Sequence, residues 1–334
     1  MGLRVGLAKR RLMGSQRQDP QLVFPATRGS EAFSIAVVKK SQSHHPDEVA
    51  MKSQLELTLR RGTKEHYADA EQYDHEYQRR KDDITFYLRI AEEFAKAKPI
   101  LELGCGSGRL TVPLLRAGHR VVGIDAAPAM VERLRTRLQN LPRDVASRAE
   151  LHVADFRELA TAGSVLGRAR YELVVCPFNA FQHLYERQDV ERFLDGVRAH
   201  LRPRGLFVFD LMSPDLGWLS RDSTKRWSRT RYKDPRTGLP MIYSTQIVYD
   251  APLQIAFMTI FYERADGKKR GSRRTLLTHR HFYPRELEAL LHYNGFEIIR
   301  RDGDFAGRSL QPESEQQVLW CRASGSRPRR QLGH

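Results

Sequence analysis

The sequence predicts an α/β fold built on a parallel sheet, with an antiparallel β insertion after the fifth strand. Three observations carry that reading. The first is the run Ile100-Leu-Glu-Leu-Gly-Cys-Gly-Ser-Gly-Arg-Leu110, which reads as a buried strand, a tight turn and the start of a helix. The second is the alternation of strand-like and helix-like patterns that follows it. The third is a carboxylate in or at the end of each of the first three strands: Glu102, Asp125 and Asp155. Open α/β sheets hold their ligands beyond the carboxyl ends of the strands.

In chain order, residues 1 to about 60 mix Ser, Gln, Arg and Pro without sustained periodicity, so a disordered basic extension is expected there. Met51 opens a more structured-looking segment, which raises the reading that the first fifty residues precede the true start. From Tyr67 to Ala97 the pattern turns helical, with Ile84, Tyr87, Leu88, Ile90, Ala91 and Phe94 spaced for one apolar face. The glycine run comes next. Gly104, Gly106 and Gly108 remove Cβ atoms where the turn is tight and a ligand approaches the backbone, and the following helix presents free N–H groups.

Two cofactor classes use such a turn. A dinucleotide fingerprint, G-x-G-x-x-G/A, asks for a small residue where Arg109 stands. Glu102 would repel a pyrophosphate, whereas it can accept hydrogen bonds from an ammonium group or a bridging water. The run from Glu102 to Arg109 resembles the first motif of class I S-adenosylmethionine-dependent methyltransferases.

The rest of the chain supports the same layout. Arg120–Asp125 reads as a second strand whose terminal acid can hold both ribose hydroxyls. Ala126-Ala-Pro128 starts a helix that brings Met130 toward the adenine face. Glu150–Phe156 reads as a third strand, with Asp155 placed to accept from the adenine amino group and Phe156 bordering the base. Tyr171–Cys176 is the fourth strand, and Pro177 opens a polar loop containing Asn179 and His183. A helix over Val190–Leu201, a turn at Arg202–Gly205 and a strand over Leu206–Leu211 complete the alternation. Residues 213–281 contain three alternating segments, Met241–Tyr249, Gln254–Glu263 and Arg273–His281, with a hairpin signal at Asp266-Gly267. A helix from Pro284 ends near Gly295, followed by strands over Phe296–Arg300 and Gln317–Cys321.

The resemblance covers roughly Tyr73 to Leu211 and resumes at Tyr283. It implies a Rossmann-like seven-stranded methyltransferase sheet formed by 61–212 and 282–322, interrupted by the insertion 213–281 and followed by a basic tail, 323–334. It also implies S-adenosyl-L-methionine as cofactor, contacted by Tyr77, Glu102, Gly104, Cys105, Gly106, Asp125, Ala126, Met130, Asp155, Phe156 and Pro177. Tyr73, Asn179 and His183 are the implied catalytic or substrate-facing residues. His183 is the candidate base, because imidazole titrates near neutral pH. The layout is similar to small-molecule N-methyltransferases of the glycine and amino-sugar type, which makes an amine the expected acceptor.

Composition bounds the alternatives. The chain of 334 residues has a net charge of +16. Residues 221–280 alone carry 14 basic and 5 acidic side chains, while the sheet-and-helix body is close to neutral. That distribution keeps open an RNA methyltransferase using the basic insertion. No Asn-Pro-Pro-Tyr or Asp-Pro-Pro-Tyr sequence is present to grip a flipped base. A non-catalytic S-adenosylmethionine-binding scaffold is the third reading. Cys105, Cys176 and Cys321 lack metal or disulfide spacing, no apolar run approaches a membrane span, and no secretory leader is apparent. A cytoplasmic enzyme without a metal is therefore expected.

Overall fold

The computed structural model describes residues 46–161 and 163–324. The elements run α1 (Pro46–Lys64), α2 (Ala70–Tyr77), α3 (Asp82–Ile90), β1 (Ile100–Leu103), α4 (Thr111–Arg116), β2 (Val121–Asp125), α5 (Pro128–Gln139), α6 (Arg143–Ala146) and β3 (Ala149–Val153). They continue with β4 (Tyr171–Cys176), α7 (Arg187–His200), β5 (Leu201–Met212), α8 (Leu216–Leu219), β6 (Trp227–Lys233), β7 (Pro240–Asp250), β8 (Ile255–Arg264) and β9 (Arg273–Arg280). The last three are α9 (Pro284–Tyr293), β10 (Phe296–Asp302) and β11 (Gln316–Ala323).

Seven strands form one sheet in the order β10-β11-β5-β4-β1-β2-β3. β1 lies parallel between β2 and β4, and β11 enters antiparallel between β5 and β10. All four residues of β1 are buried, as a strand covered on both faces must be. Side-chain alternation divides the core. Leu101 and Leu103 join Phe207, Phe209 and the α7 residues Phe193, Leu194 and Val197. Ile100 points the other way, into a cluster with Phe86, Tyr87, Leu114 and Trp320. By the same period of two, Glu102 and Asp210 project into this second layer, which is why two carboxylates in apolar strands end up buried.

The four strands β6-β7-β8-β9 make a separate antiparallel sheet, the insertion expected after the fifth strand. Register places Tyr243, Tyr262 and Arg273 side by side, then Ile260 with Thr275, Met258 with Leu277 and Ala256 with His279. These residues share one face of the sheet.

Three expectations are corrected. Residues 46–60 are helical: α1 packs Leu59 against Ile255, Phe257 and Leu276, so its apolar residues find partners two hundred positions away. Residues 1–45 and 325–334, where the rest of the expected extension and most of the basic tail fall, lie outside the described residues. The pattern over Tyr67–Ala97 is two helices and a wider π turn at Ala91–Ala95, broken around the polar run Gln78-Arg-Arg-Lys81. The turn expected at Arg202–Gly205 is absorbed into β5, where Arg204 takes a φ of 64° and the β4–β5 register shifts.

Among the described residues, no helix is long and apolar enough to cross a membrane.

Candidate active site

The glycine turn leaves β1 with Gly104, Gly106 and Gly108 all at positive φ (80°, 53° and 84°). A Cβ on Gly104 would stand 2.8 Å from the Ala180 Cβ, and one on Gly108 would meet Leu134 at 2.2 Å. The backbone is thus held in a conformation and a space that only glycine satisfies. Gly104 and Cys105 both donate their N–H to the Ile124 carbonyl, fastening the turn to β2.

At the tip of β2, Asp125 completes the turn. Its Oδ2 accepts the Gly106 N–H and its Oδ1 accepts the Ala127 N–H, each at 2.8 Å. Burial pushes its carboxyl upward, against the pull of those two donors. Ala126 beside it is exposed, and Met130 is buried with its side chain 3.3 Å from the position a Gly106 Cβ would take.

Glu102 is 1% exposed, and its Oε2 accepts a hydrogen bond from Thr111 Oγ1 at 2.8 Å. Burial raises its carboxyl to about 8, with the Thr111 bond and Arg109 opposing. Cys105 directs its side chain into a cluster with Val112 and Leu134, and burial raises its thiol well above the ordinary range. It is a packing residue whose backbone alone faces the turn.

Asp155 caps a short 3-10 turn, and Arg157 spans both its oxygens through Nε at 3.0 Å and Nη2 at 2.5 Å. The turn folds residue i+2 back onto residue i, so the carboxylate already has a cationic partner, and its pKa is lowered by those bonds despite the opposing effect of burial. Phe156 packs edge-on against Phe193 at 5.1 Å.

Beyond β4 the loop opens at Pro177, and Phe178 and Asn179 both take positive φ, 57° and 65°. Asp210 fixes this bend: both its oxygens accept the Phe178 N–H at 3.0 Å, and Tyr87 donates its hydroxyl to Oδ1 at 2.6 Å. The Phe178 ring lies between Tyr77, 5.1 Å away edge-on, and the Arg109 guanidinium at 3.9 Å. Arg109 is itself held by Asp83, with Nη1 on Oδ1 at 2.9 Å. The Asn179 Oδ1 is buried without a hydrogen-bond partner.

Tyr73 and Tyr77 share one face of α2, with ring centroids 4.6 Å apart. They belong to an aromatic cluster with His66 and Tyr67 that sequence reading missed. Tyr67 hydrogen-bonds His183 Nε2 at 2.7 Å, while Tyr185 engages Nδ1 at 3.1 Å. Burial pulls the His183 imidazole down to about 3. Both of its nitrogens are engaged, so in this arrangement the imidazole holds the Tyr67 and Tyr185 hydroxyls.

A cavity of about 610 Å³ lies between α2, the loop after β4 and the insertion sheet. Tyr67, Tyr73, Tyr77, Phe178 and Asn179 line one side, and Tyr243, Met258, Ile260, Leu277 and His279 of the shared sheet face line the other. His183 is not on this wall, but His279, 4.9 Å from it ring to ring, is. A larger depression, about 710 Å³, lies by α9 and β10 and contains no residue of the glycine turn. The signal for Tyr67 was present in the aromatic spacing 67, 73, 77, but its partner His183 is 116 residues away.

The geometry fits S-adenosylmethionine. A side chain at Gly104 or Gly108 has no room, an acid stands at the tip of β2, and Glu102 lies beneath the turn. Among the described residues no group of His, Cys, Asp and Glu is arranged to hold a metal ion.

Comparison with known proteins places this geometry in context. A methyltransferase-domain family model matches residues 100–205. A cypemycin N-terminal methyltransferase from Streptomyces is 26% identical over 235 residues, covering 66% of this chain and 82% of that protein. A ubiquinone biosynthesis O-methyltransferase from Methylocella silvestris is 30% identical over 177 residues, covering 46% and 62%. Among solved structures, the CcbJ methyltransferase from Streptomyces caelestis superposes with a TM-score of 0.60 at 24% identity, over 72% of this chain and 90% of that one. The S-adenosylmethionine-bound amino pentose methyltransferase CalS10 from Micromonospora echinaspora gives 0.55 at 20% identity, over 75% and 96%. The sheet order and the glycine turn agree with these relatives: residues 100–205 carry a methyltransferase domain, and the chain is similar to S-adenosylmethionine-dependent methyltransferases.

Proposed function

We propose that the chain methylates a small-molecule amine. The observation that carries this reading is the cavity of about 610 Å³, a size suited to a small ligand, walled by tyrosines of α2, the helix that Asp74 ties to Ser107 of the glycine turn. A relative named as an N-terminal methyltransferase and a structural neighbour named as an amino pentose methyltransferase support a nitrogen acceptor; an O-methyltransferase among the relatives keeps oxygen as the competing one.

S-adenosylmethionine supplies a methyl group already activated by its sulfonium. The protein's part is to bind, align and exclude water. In this proposal Asp125 accepts from the ribose hydroxyls, while Gly104, Gly106 and the backbones of Cys105, Ala126 and Pro177 give close approach. Glu102 receives the ammonium end, and Met130, Phe156 and Asp155 border the adenine. Tyr73 and Tyr77 close over the methionine end, and the orphan Asn179 Oδ1 takes a donor from the bound molecules. His183 acts as a positioning residue, holding the Tyr67 hydroxyl toward the cavity. The acceptor amine attacks as its neutral form, so an amine held first as its ammonium ion gives up that proton to water before the protein aligns it with the methyl group.

Within the basic insertion Arg226 pairs with Glu263, Arg236 with Asp69, Arg264 with Asp266, and Arg280 with Glu286, but the insertion keeps a net positive charge, so RNA stays a competing acceptor.

The test is methyl transfer from deuterium-labelled S-adenosylmethionine to a panel of amino alcohols, amino sugars and N-terminal peptides, with matched alcohols and RNA alongside, read by mass spectrometry. Labelled methyl on nitrogen supports the proposal. Label found only on hydroxyl oxygen or RNA overturns it.

A further inference from the structure

We propose that Glu76, set among tyrosine rings in the cavity wall, recognises the acceptor as an alkylammonium ion. This rests on the amine reading and adds the residue and the charge state by which the amine is first held.

Glu76 lies on α2 between Tyr73 and Tyr77, three and one residues away, and is half-buried. Its Oε2 accepts the Tyr262 hydroxyl at 3.0 Å, a contact spanning 186 positions that joins α2 to the insertion sheet. The Tyr243 hydroxyl is a second hydrogen-bonding neighbour. Among the cavity-lining residues Glu76 is the sole carboxylate, and five tyrosines, Tyr67, Tyr73, Tyr77, Tyr232 and Tyr243, line the same space. Phenol faces attract cations through their quadrupole, and a carboxylate within such a wall adds direct charge and a hydrogen-bond acceptor. An alkylammonium satisfies both, with its carbon substituents against the rings and its charge toward Glu76. A neutral molecule of the same shape satisfies only the rings.

The cations nearby are arranged around this acid without neutralising it directly. Arg273 stacks over Tyr262 at 4.5 Å, and its ion pairs are with Asp69 and Asp234. Arg79, Arg80, Arg231 and Lys233 line the cavity too, but all four are exposed, where water and salt screen them. Burial raises the Glu76 carboxyl to about 7 against its tyrosine hydrogen bonds and Arg273. A bound cation beside it would favour the ionised form.

The test uses a ligand that cannot be methylated further. Choline is titrated by calorimetry at pH 8 into the full chain saturated with S-adenosylhomocysteine, beside its carbon isostere 3,3-dimethyl-1-butanol. The expected result is saturable choline binding at least tenfold tighter than the isostere. Glu76→Gln, which keeps an acceptor for Tyr262, should lose that margin while S-adenosylhomocysteine affinity is unchanged. Should Glu76→Gln fold poorly, Tyr232→Leu removes one ring without removing a bond to Glu76, and a severalfold loss of choline affinity is expected. Equal binding of choline and isostere, no binding of either, or unchanged choline binding in a folded variant overturns the proposal. If choline binds as expected while the acceptor panel shows no transfer to nitrogen, the amine reading falls and the ammonium site stands.

Discussion

Ser107 donates its hydroxyl to Asp74 Oδ1 at 2.6 Å, tying the helix that carries Tyr73, Glu76 and Tyr77 directly to the glycine turn. The other Asp74 oxygen accepts Arg133 Nε at 2.8 Å, so α2 is also clamped to α5. The aromatic wall and the cofactor turn are therefore parts of one hydrogen-bonded unit.

Breaking that clamp should affect binding more than stability. Asp74→Ala removes a hydrogen bond and a partly exposed ion pair, a loss of about 1–2 kcal/mol in unfolding free energy. S-adenosylhomocysteine affinity is expected to fall about tenfold, because the rings over the site are no longer fixed. Chemical denaturation and calorimetry on the same variant check the two parts.

Gly104→Ala combines two penalties. The residue keeps a left-handed φ of 80°, which an L side chain pays roughly 1–2 kcal/mol to adopt. Its Cβ also lands 2.8 Å from the Ala180 Cβ, so the loop after β4 must shift. Loss of cofactor binding with a lowered melting temperature is expected, and an Ala180→Gly second change should recover part of the latter.

Glu102 gives a pH-dependent prediction. Its folded carboxyl sits at about 8, above the ordinary 4.5, so folding takes up a proton between those values. Its contribution is fully present below the unfolded pKa and is lost as pH rises through about 8. Glu102→Gln keeps an acceptor for Thr111 without the charge. The cofactor-free variant is expected to be more stable than the parent at pH 8–9, by on the order of a few kcal/mol, and similar to it near pH 4. Denaturant melts across that range measure the difference.

Arg109 and Asp83 form a pair whose side chains are 15% and 4% exposed. Arg109→Leu leaves a buried carboxylate without its cation and removes the guanidinium from Phe178, so destabilisation of about 3–5 kcal/mol is expected. Adding Asp83→Leu should return most of that loss, measured as a double-mutant cycle.

The features of the fold and site that are visible in the sequence are local. Glycines at 104, 106 and 108 and the acid at 125 announce themselves because strand, turn and acid are close in the chain. The parallel sheet followed from repeated short apolar runs, and the insertion from period-two alternation. What escaped depends on distant partners. The α1 helix is stabilised by Ile255, Phe257 and Leu276, which no local pattern near residue 59 reveals. Asp210 looks like one acid in an apolar strand until Tyr87 and the Phe178 N–H meet it. His183 carried the right residue type in the right loop, yet its burial by Tyr67, Tyr185 and His279 set its chemistry. Asp155 shows the opposite case: a neighbour two residues on, Arg157, engages both its oxygens, a contact that the strand pattern does not encode.

The most direct measurement is calorimetric titration of S-adenosylmethionine and S-adenosylhomocysteine into the full chain, beside Asp125→Ala. Asp125 is where the turn and the second strand meet, through its bonds to Gly106 and Ala127. Micromolar binding of both ligands, reduced at least tenfold in a variant that remains folded, is the expected result. Folded protein that binds neither ligand, or an Asp125→Ala variant that binds both as tightly as the parent, would contradict the site described for this enzyme.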